Sequence, residues 1–398
     1  MTRPWLTILG IGEDGAAGLS PAAAQAIRSA ALVVGGARHL ALADPLITGE
    51  RMPWPHPIEA AIPAILARRP APVAVLASGD PYCYGVGTLL ARHVPIGETI
   101  CLPAPSAFSL ACARLGWALQ DCATISFCGR PLECLAPLLQ PGARILALSA
   151  GAGTPAAVSA FLAAAGFGGS TLHVLEALGG PHERRRSGNP ASVHPLNTMA
   201  IEVVAGPAAQ IIPLATGLAD AAFEHDGQIT KQEIRAVTLA ALAPRRGELL
   251  WDIGSGAGSI GIEWMLRHPA NQAIGVERRP DRAARAARNA ARLGVPGLRL
   301  VEGSAPAALA GLPPPHAVFV GGGAHAPGLL DAAWAALPAD GRLVANAITI
   351  ESEAALLAAR ARLGGTLTRL SVERLDTVGT MHAYRPAMTV TQLLATKP

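Results

Sequence analysis

Two α/β domains joined in tandem are the fold this sequence predicts, and three observations carry the prediction. The chain has 398 residues, too many for one typical domain and suited to two. In its second half, apolar segments of strand length alternate with helical stretches. In its first half the same alternation recurs with different punctuation, so the halves read as two unrelated α/β folds and not as a duplication.

The first half opens on Leu6-Thr-Ile-Leu-Gly-Ile-Gly, a strand that runs into a glycine turn. Val73-Ala-Val-Leu-Ala-Ser is a second strand, ending at Gly79-Asp80-Pro. Ile100-Cys-Leu leads through Pro103-Ala-Pro-Ser106 into a helix over 107–115. Further strands start at Thr124, Arg144, Thr171 and Thr198. Between Gly206 and Gly227 no period is visible, and Pro207, Pro213 and Gly217 interrupt the chain. This places a first domain at 1–207, a linker at 208–226 and a second domain at 227–398. Near the start of the second domain, Ile229-Thr-Lys-Gln-Glu begins a helix. Thr230 is its expected N-cap, with Glu233 three residues on as a capping box. Strands are expected at 248–252, 273–277, 298–302, 316–320, 342–348 and 366–372, with helices over 281–293, 327–336 and 351–363. That order predicts a parallel, doubly wound sheet.

Composition narrows the function. Lys231 and Lys397 are the only lysines, and the charge of +4 divides as +1 on residues 1–207, with 13 basic and 12 acidic groups, and +3 on the remainder, with 19 and 16. Neither half is basic enough to point to nucleic acid. The six cysteines all lie in the first half, none in a C-x-x-C pair, and no histidine cluster completes a metal site. They read as free thiols in a reducing compartment. No apolar run is long enough to span a membrane, and the first residues lead straight into a strand, so a cytoplasmic protein is expected.

Residues 248–258, Glu-Leu-Leu-Trp-Asp-Ile-Gly-Ser-Gly-Ala-Gly, carry the most chemistry. A buried strand ends beside Asp252. Gly254, Gly256 and Gly258 then turn the chain tightly into a helix that starts at Ser259, which sets bare backbone N–H groups beside a ligand. The next apolar segment, Ala273-Ile-Gly-Val, ends in Glu277, an acidic residue placed to hold a ribose diol. A dinucleotide fingerprint needs a glycine or alanine where Ser259 stands. The spacing is instead G-x-G-x-G with an acidic residue two positions ahead, the pattern of class I S-adenosylmethionine (SAM) methyltransferases. A nicotinamide dinucleotide site and a purely structural turn remain as other readings.

Several motifs of the first half together resemble the tetrapyrrole (precorrin) methylase family. They are Gly10-Ile-Gly12-Glu-Asp-Gly15, Val34-Gly-Gly-Ala-Arg38-His39, Ser78-Gly-Asp80-Pro-Tyr-Cys-Tyr-Gly85, Pro103-Ala-Pro-Ser106, Cys128-Gly-Arg130, Leu175-Glu176-Ala-Leu-Gly-Gly-Pro-His-Glu183 and Leu196-Asn197-Thr-Met-Ala-Ile-Glu202. They are most similar to the branch that methylates precorrin-6Y. The second half resembles that branch's class I partner through Ile229-Thr-Lys-Gln-Glu-Ile-Arg235, Trp251-Asp-Ile-Gly-Ser-Gly256, Glu302-Gly-Ser-Ala305-Pro, Phe319-Val-Gly-Gly and Val344-Ala-Asn346-Ala-Ile-Thr. The chain departs from the usual patterns at Glu13-Asp14, which replace Pro-Gly, at Ala107, at Cys128, and at Gly321-Gly-Gly-Ala-His325.

The resemblance implies an N-terminal tetrapyrrole-methylase fold of two α/β subdomains fused to a C-terminal Rossmann-like class I methyltransferase. It implies methylation of precorrin-6B (6Y) at C5 by the first domain. It assigns C15 methylation and loss of the C12 acetate carboxyl to the second, giving precorrin-8X in cobalamin biosynthesis. One SAM per domain is expected. In the first domain Gly10, Gly12, Asp80, Ser106 and the 176–183 turn would hold it, in a cleft between the subdomains. In the second, Gly254, Ser255, Gly256, Ala257 and Gly258 would hold the methionine end, Glu277 the ribose, Ala305 the adenine and Thr230 a further contact. Asp252 would face the cationic end of SAM or order its neighbours. A sulfonium methyl needs positioning and a proton acceptor, not a nucleophilic side chain. His39, His325 and His382 are the candidate proton carriers, and His325, Glu263 and Asn346 are candidates to line the apolar place that decarboxylation needs. The many carboxylates of a precorrin call for arginines. Arg38 and Arg130 are candidates, whereas Arg282, Arg285, Arg288 and Arg292 read as the solvated face of one helix.

A homo-oligomer, dimer or tetramer, is expected, with no nucleic-acid or membrane partner. The rival readings are a methyltransferase of RNA or protein and a SAM-binding regulator without catalysis. The first is disfavoured by Val320-Gly-Gly-Gly, which lacks the proline-walled slot that amino-methylating enzymes place after the fourth strand.

Overall fold

The computed structural model describes residues 4–188 and 190–398, divided into two compact units. The first comprises 1–132 and 138–210, the second 133–137 and 211–398.

The first unit contains two sheets. Strands β1 (Leu6–Ile11), β2 (Leu32–Gly35), β3 (Glu50–Pro53), β4 (Val73–Ser78) and β5 (Thr99–Leu102) form an all-parallel sheet in the order β3-β2-β4-β1-β5. A parallel sheet needs both faces covered, and the alternation of β1 supplies both. Leu6 and Ile8 pack with Ile62 and Ile65 of helix α3 (Ile62–Leu66) and Leu90 of α4 (Gly87–Leu90). Leu9 and Ile11 pack on the other face with Ala24 and Ile27 of α1 (Pro21–Ser29) and Ala43 of α2 (Ala37–Ala43). The second sheet, β6 (Cys122–Ser126), β7 (Arg144–Leu148), β8 (Thr171–Glu176), β9 (Arg184–Ser187) and β10 (Asn197–Glu202), is mixed, in the order β6-β7-β10-β8-β9. Only β6 and β7 run parallel. Helix α5 (Ala107–Leu115) buries Phe108, Ala111 and Cys112 against Leu146, Leu175 and Ala200 of this sheet. Helix α6 (Thr154–Ala164) packs on β8.

The second unit is one seven-stranded sheet. It contains β11 (Leu249–Ile253), β12 (Gln272–Glu277), β13 (Arg299–Glu302), β14 (Ala317–Val320), β15 (Arg342–Ala347) and β16 (Thr366–Leu370), followed by an exposed hairpin of β17 (Glu373–Val378) and β18 (Met381–Pro386), then β19 (Val390–Thr396). The order is β13-β12-β11-β14-β15-β19-β16. The doubly wound prediction holds for β11 to β15, which are parallel. It did not foresee β19, which inserts antiparallel between β15 and β16. Helices α7 (Gln232–Leu242), α8 (Ser259–Leu266), α9 (Pro280–Arg292), α10 (Leu329–Ala336) and α11 (Ile350–Leu363) accompany this sheet.

Two local expectations are corrected. The segment read as a linker is built into the second unit from Ile211 onward, with Ile212, Leu218 and Phe223 buried. Thr230 is not an N-cap: α7 starts at Gln232 after Lys231, and no side chain caps it. The buried Arg235 donates to the carbonyl oxygen of Thr230 and so ties the residues ahead of α7 to the helix.

Candidate functional sites

In the first unit a cavity of about 360 Å³ opens where β1 and β4 end. That volume lies in the range of small-molecule sites. Gly12, Glu13, Ser78, Gly79 and Ser106 line one part of it, and Leu175, Ala177, Leu178 and Asn197 another. The predicted glycine loop, Ser-Gly-Asp turn, proline-strand serine and the start of the 176–183 turn therefore meet. Gly10 and Asp80 stand behind the lining. A Cβ on Gly10 would lie 1.7 Å from the Gly79 carbonyl oxygen, so only glycine lets these strand ends touch. Asp80 Oδ1 accepts from the Tyr82 N–H at 2.8 Å and shapes its turn. Ser106 caps α5 by accepting from Ser109 N–H at 3.1 Å.

Arg38 and His39, on α2, also line this cavity. Arg38 bonds Glu13, and its Nη2 lies 2.9 Å from both His39 Nε2 and Ser78 Oγ. Burial, helped by the Arg38 charge, pushes the His39 imidazole down to about 4, so the ring is neutral at physiological pH. Arg130 does not join the cavity. It is exposed, its guanidinium 5.4 Å from the Tyr84 ring centre. Asn197 was quoted in a motif but not chosen as a site residue. Its Nδ2 donates to the carbonyl of His194 at 2.9 Å, while Oδ1 is buried without a protein partner.

In the second unit the site forms where β11 and β14 part. The chain leaves β11 outward to β12 and β13, then returns to β14 on the other side, the switch point where α/β sheets bind ligands. Gly254, Gly256 and Gly258 all have φ between 55° and 77°, which a side chain strains. The turn is pinned to β12: the N–H groups of Gly254 and Ser255 donate to the Val276 carbonyl at 2.9 and 3.2 Å. Glu277, nearly buried, accepts from Gly256 N–H at 2.9 Å and Arg279 N–H at 3.0 Å. Asp252 lies beneath the turn and accepts from Gly261 N–H at 3.0 Å, so it orders the first turn of α8. Complete burial pushes its carboxyl up to about 7; the Gly261 bond opposes this and the nearby Glu277 charge adds to it. Ala257 is buried in the turn, and Gly258 is the residue before α8. Ala305 follows β13 and packs against the core.

The catalytic candidates of this unit fare differently. Glu263 is fully buried and saturated: it accepts from Arg235 Nε at 2.6 Å, Gly217 N–H at 2.7 Å and Leu218 N–H at 3.0 Å. It fixes the segment ahead of α7 and is closed to a substrate. Asn346 is also spent, its Nδ2 donating to Thr238 Oγ1 at 3.0 Å and its Oδ1 accepting from Gln392 at 2.9 Å. His325 follows β14, with Nδ1 3.0 Å from Ser352 Oγ. His382 is exposed on the hairpin. The arginine face of α9 is solvated at Arg288 and Arg292 and half-buried at Arg282 and Arg285, and all four are paired. Arg282 bonds Asp226 and Gln228, Arg288 bonds Glu224, Arg285 pairs with Asp226, and Arg292 bonds the Ala222 carbonyl. These residues strap 222–228 onto α9.

Both sites fit an adenosyl-sulfonium ligand. In the first unit, bare glycine backbone and apolar walls meet the partnerless Asn197 Oδ1. In the second, the open glycine turn stands beside Glu277 and the buried, partnerless Ser255 Oγ. Among the described residues no group of acidic, cysteine and histidine side chains is arranged to hold a metal, and no helix is long and apolar enough to cross a membrane.

Such a chain is a tandem of two methyltransferase domains. Residues 6–193 match the tetrapyrrole (corrin/porphyrin) methylases, and residues 221–397 match a precorrin methyltransferase domain. The chain belongs to the family of precorrin-6Y C(5,15)-methyltransferases (decarboxylating): a relative of that name from a Sinorhizobium species is 56% identical over 402 residues, spanning 100% of this chain and 97% of the relative. Single-activity relatives match parts of it. A cobalt-precorrin-7 C(5)-methyltransferase of Salmonella typhimurium is 41% identical over 31% of this chain and 62% of its own length. A cobalt-precorrin-6B C(15)-methyltransferase (decarboxylating) of the same species is 33% identical over 40% of this chain and 83% of its own length. Methyltransferases of this family use SAM.

Proposed function

We propose that this chain methylates precorrin-6B (6Y) at C5 and C15 and decarboxylates its C12 acetate, giving precorrin-8X in cobalamin biosynthesis. The observation that carries the reading is end-to-end similarity to a relative named for both methylations and the decarboxylation. The first domain takes C5. The second takes C15 and the decarboxylation. The names of the Salmonella relatives support this division and also an order, since they put the C(15) step on precorrin-6B and the C(5) step on precorrin-7.

Each domain holds one SAM, which supplies an electrophilic methyl group when bound. In the first, Gly12, Ser106 and Asn197 contact it, with Gly10 and Asp80 supporting their turns. In the second, Gly254 to Gly258 offer backbone, Glu277 takes the ribose hydroxyls, and Ala305 and Thr230 add contacts. The protein's work is alignment of donor and carbon, and exclusion of water. Arg38 is placed to meet a substrate carboxylate. His325, set neither in a buried network like Glu263 and Asn346 nor out on the exposed hairpin like His382, is the group left to move a proton there. The enzyme works in the cytoplasm as a dimer or tetramer, without nucleic acid or membrane.

Mass spectrometry of precorrin-6B after incubation with SAM and the full chain tests the reading. Two added methyl groups and one lost carbon dioxide are expected. Unchanged substrate, or SAM binding without turnover, sinks it and favours a regulator.

A further inference from the structure

We propose that Ser78 is the proton acceptor of the first unit's methyl transfer, with His39 as its base and Arg38 as the cation that holds both. The proposal rests on the reading of this unit as a C5-methyltransferase. Ser78, His39, Arg38 and Glu13 all line the cavity. A guanidinium only donates, so Arg38, 2.9 Å from His39 Nε2, requires the lone pair there and the ring proton on Nδ1, which is buried without a protein partner. Ser78 Oγ lies 2.8 Å from the same Nε2 and 2.9 Å from Arg38 Nη2. The single Nε2 lone pair is shared between the Arg38 N–H and the serine O–H, while the serine oxygen accepts from the guanidinium; as the imidazole takes the proton, the Arg38 N–H keeps only the serine oxygen as acceptor. That oxygen thus sits between a base and a positive charge that stabilises it as negative charge develops. Glu13 fixes the other arm of Arg38. Ser78 ends β4 and is followed by Gly79, which is wedged against Pro105, so the oxygen is rigidly placed.

The chemistry needs such a group. A methine carbon that gains a methyl still carries its hydrogen, and the macrocycle is left with a positive charge. Conjugation returns when that C–H bond breaks and its electron pair passes to the ring. The proton goes to Ser78 Oγ while the serine O–H proton goes to His39 Nε2, and the imidazolium later releases it to water. One methyl cation enters and one proton leaves, so no oxidant or reductant is required. A cationic carbon acid gives up its proton readily, which offsets the Arg38 charge that opposes protonation of the imidazole.

Ser78→Ala and His39→Gln, made in the full chain, test this. Both are expected to bind S-adenosylhomocysteine as the unaltered chain does and to release carbon dioxide at its rate. Addition of the second methyl should slow by about 100-fold or more, the usual size of a lost general base. Deuterium at the reacting methine should then slow it further, because proton removal limits the rate. In the unliganded, ¹⁵N-labelled chain, His39 should be the Nδ1–H tautomer, and Ser78→Ala should shift its Nε2 resonance. Normal C5 methylation in both variants without an isotope effect, an Nε2–H tautomer, or loss of S-adenosylhomocysteine binding overturns the proposal. If the unaltered chain adds no methyl at C5, the functional reading itself falls, and the proposal with it.

Discussion

The two glycine turns use the same residue for different physical reasons. In the first unit glycine is required by contact. A Cβ on Gly10 would lie 1.7 Å from one backbone oxygen and 2.5 Å from the Ala104 nitrogen, although its φ is ordinary. In the second unit glycine is required by conformation. A Cβ on Gly254 or Gly256 would meet nothing nearer than 3.6 Å, but both have positive φ. The first site is therefore framed by backbone pressed on backbone. The second is a turn whose shape comes from dihedral angles, from two backbone bonds to β12 and from carboxylate bonds. The same contrast holds for charge, since the first unit presents an arginine, a histidine and a serine to its cavity, whereas the second buries two carboxylates below and beside its turn.

Gly10→Ala should show the largest effect. Two backbone segments would have to part, which costs about 4 kcal/mol or more, beyond ordinary overpacking. Denaturant unfolding should report that loss in the first unit, along with loss of C5 methylation; a loss below about 1 kcal/mol would erase the contrast.

Asp252→Asn sharpens the electrostatic side. The folded chain keeps the Asp252 proton up to about pH 7, whereas the unfolded chain releases it near 3.8. This residue therefore costs stability progressively as pH rises from about 4 to 7, and the full cost, at most about 4 kcal/mol, is present above 7. Asn can still accept from Gly261. The variant should match the unaltered chain at pH 4 and exceed it in unfolding free energy at pH 8. Equal stability at both values would mean that Asp252 ionises normally.

Glu277→Ala should weaken SAM binding in the second unit by one to two decades. A charge-assisted bond to the ribose contributes roughly 1.5–3 kcal/mol. Calorimetry should resolve a weakened site beside an unaltered one, and two unaltered sites would remove Glu277 from cofactor binding. Gly256→Ala is the smallest change, about 1 kcal/mol of backbone strain with no clash. A cost as large as that of Gly10→Ala would show that the second turn is contact-limited too.

What the sequence disclosed follows the range of the interactions involved. The helix expected over 107–115 is α5, because its start is set by Ser106 and its end by Gly116, both local signals. The strands of the second half and the Gly254–Gly258 turn were equally legible, since hydrophobic runs and glycine spacing write them directly. The place of β19 was not, because insertion between β15 and β16 depends on pairing across the chain. Strands β3 and β9 lie at sheet edges and are mostly exposed, so no apolar run marks them and only pairing across the chain makes them strands. Glu263 misled for the same reason. Alone, a carboxylate among apolar residues suggests catalysis, whereas its partners Gly217, Leu218 and Arg235 lie 28 to 46 positions away. His39 was legible as a candidate, but Ser78 and Glu13 became its neighbours only through the packing of α2 on the ends of β1 and β4.

The clasp of Glu263 and Arg235 on residues 217, 218 and 230 bears on how such a chain can be divided. A genetic breakpoint at residue 227, where the helical pattern of the second half resumes, would strip Glu263 of two of its three donors and leave a buried carboxylate half-matched. A breakpoint at 210 keeps the clasp whole. A cut between the two activities therefore keeps this buried charge matched only where it falls upstream of Gly217.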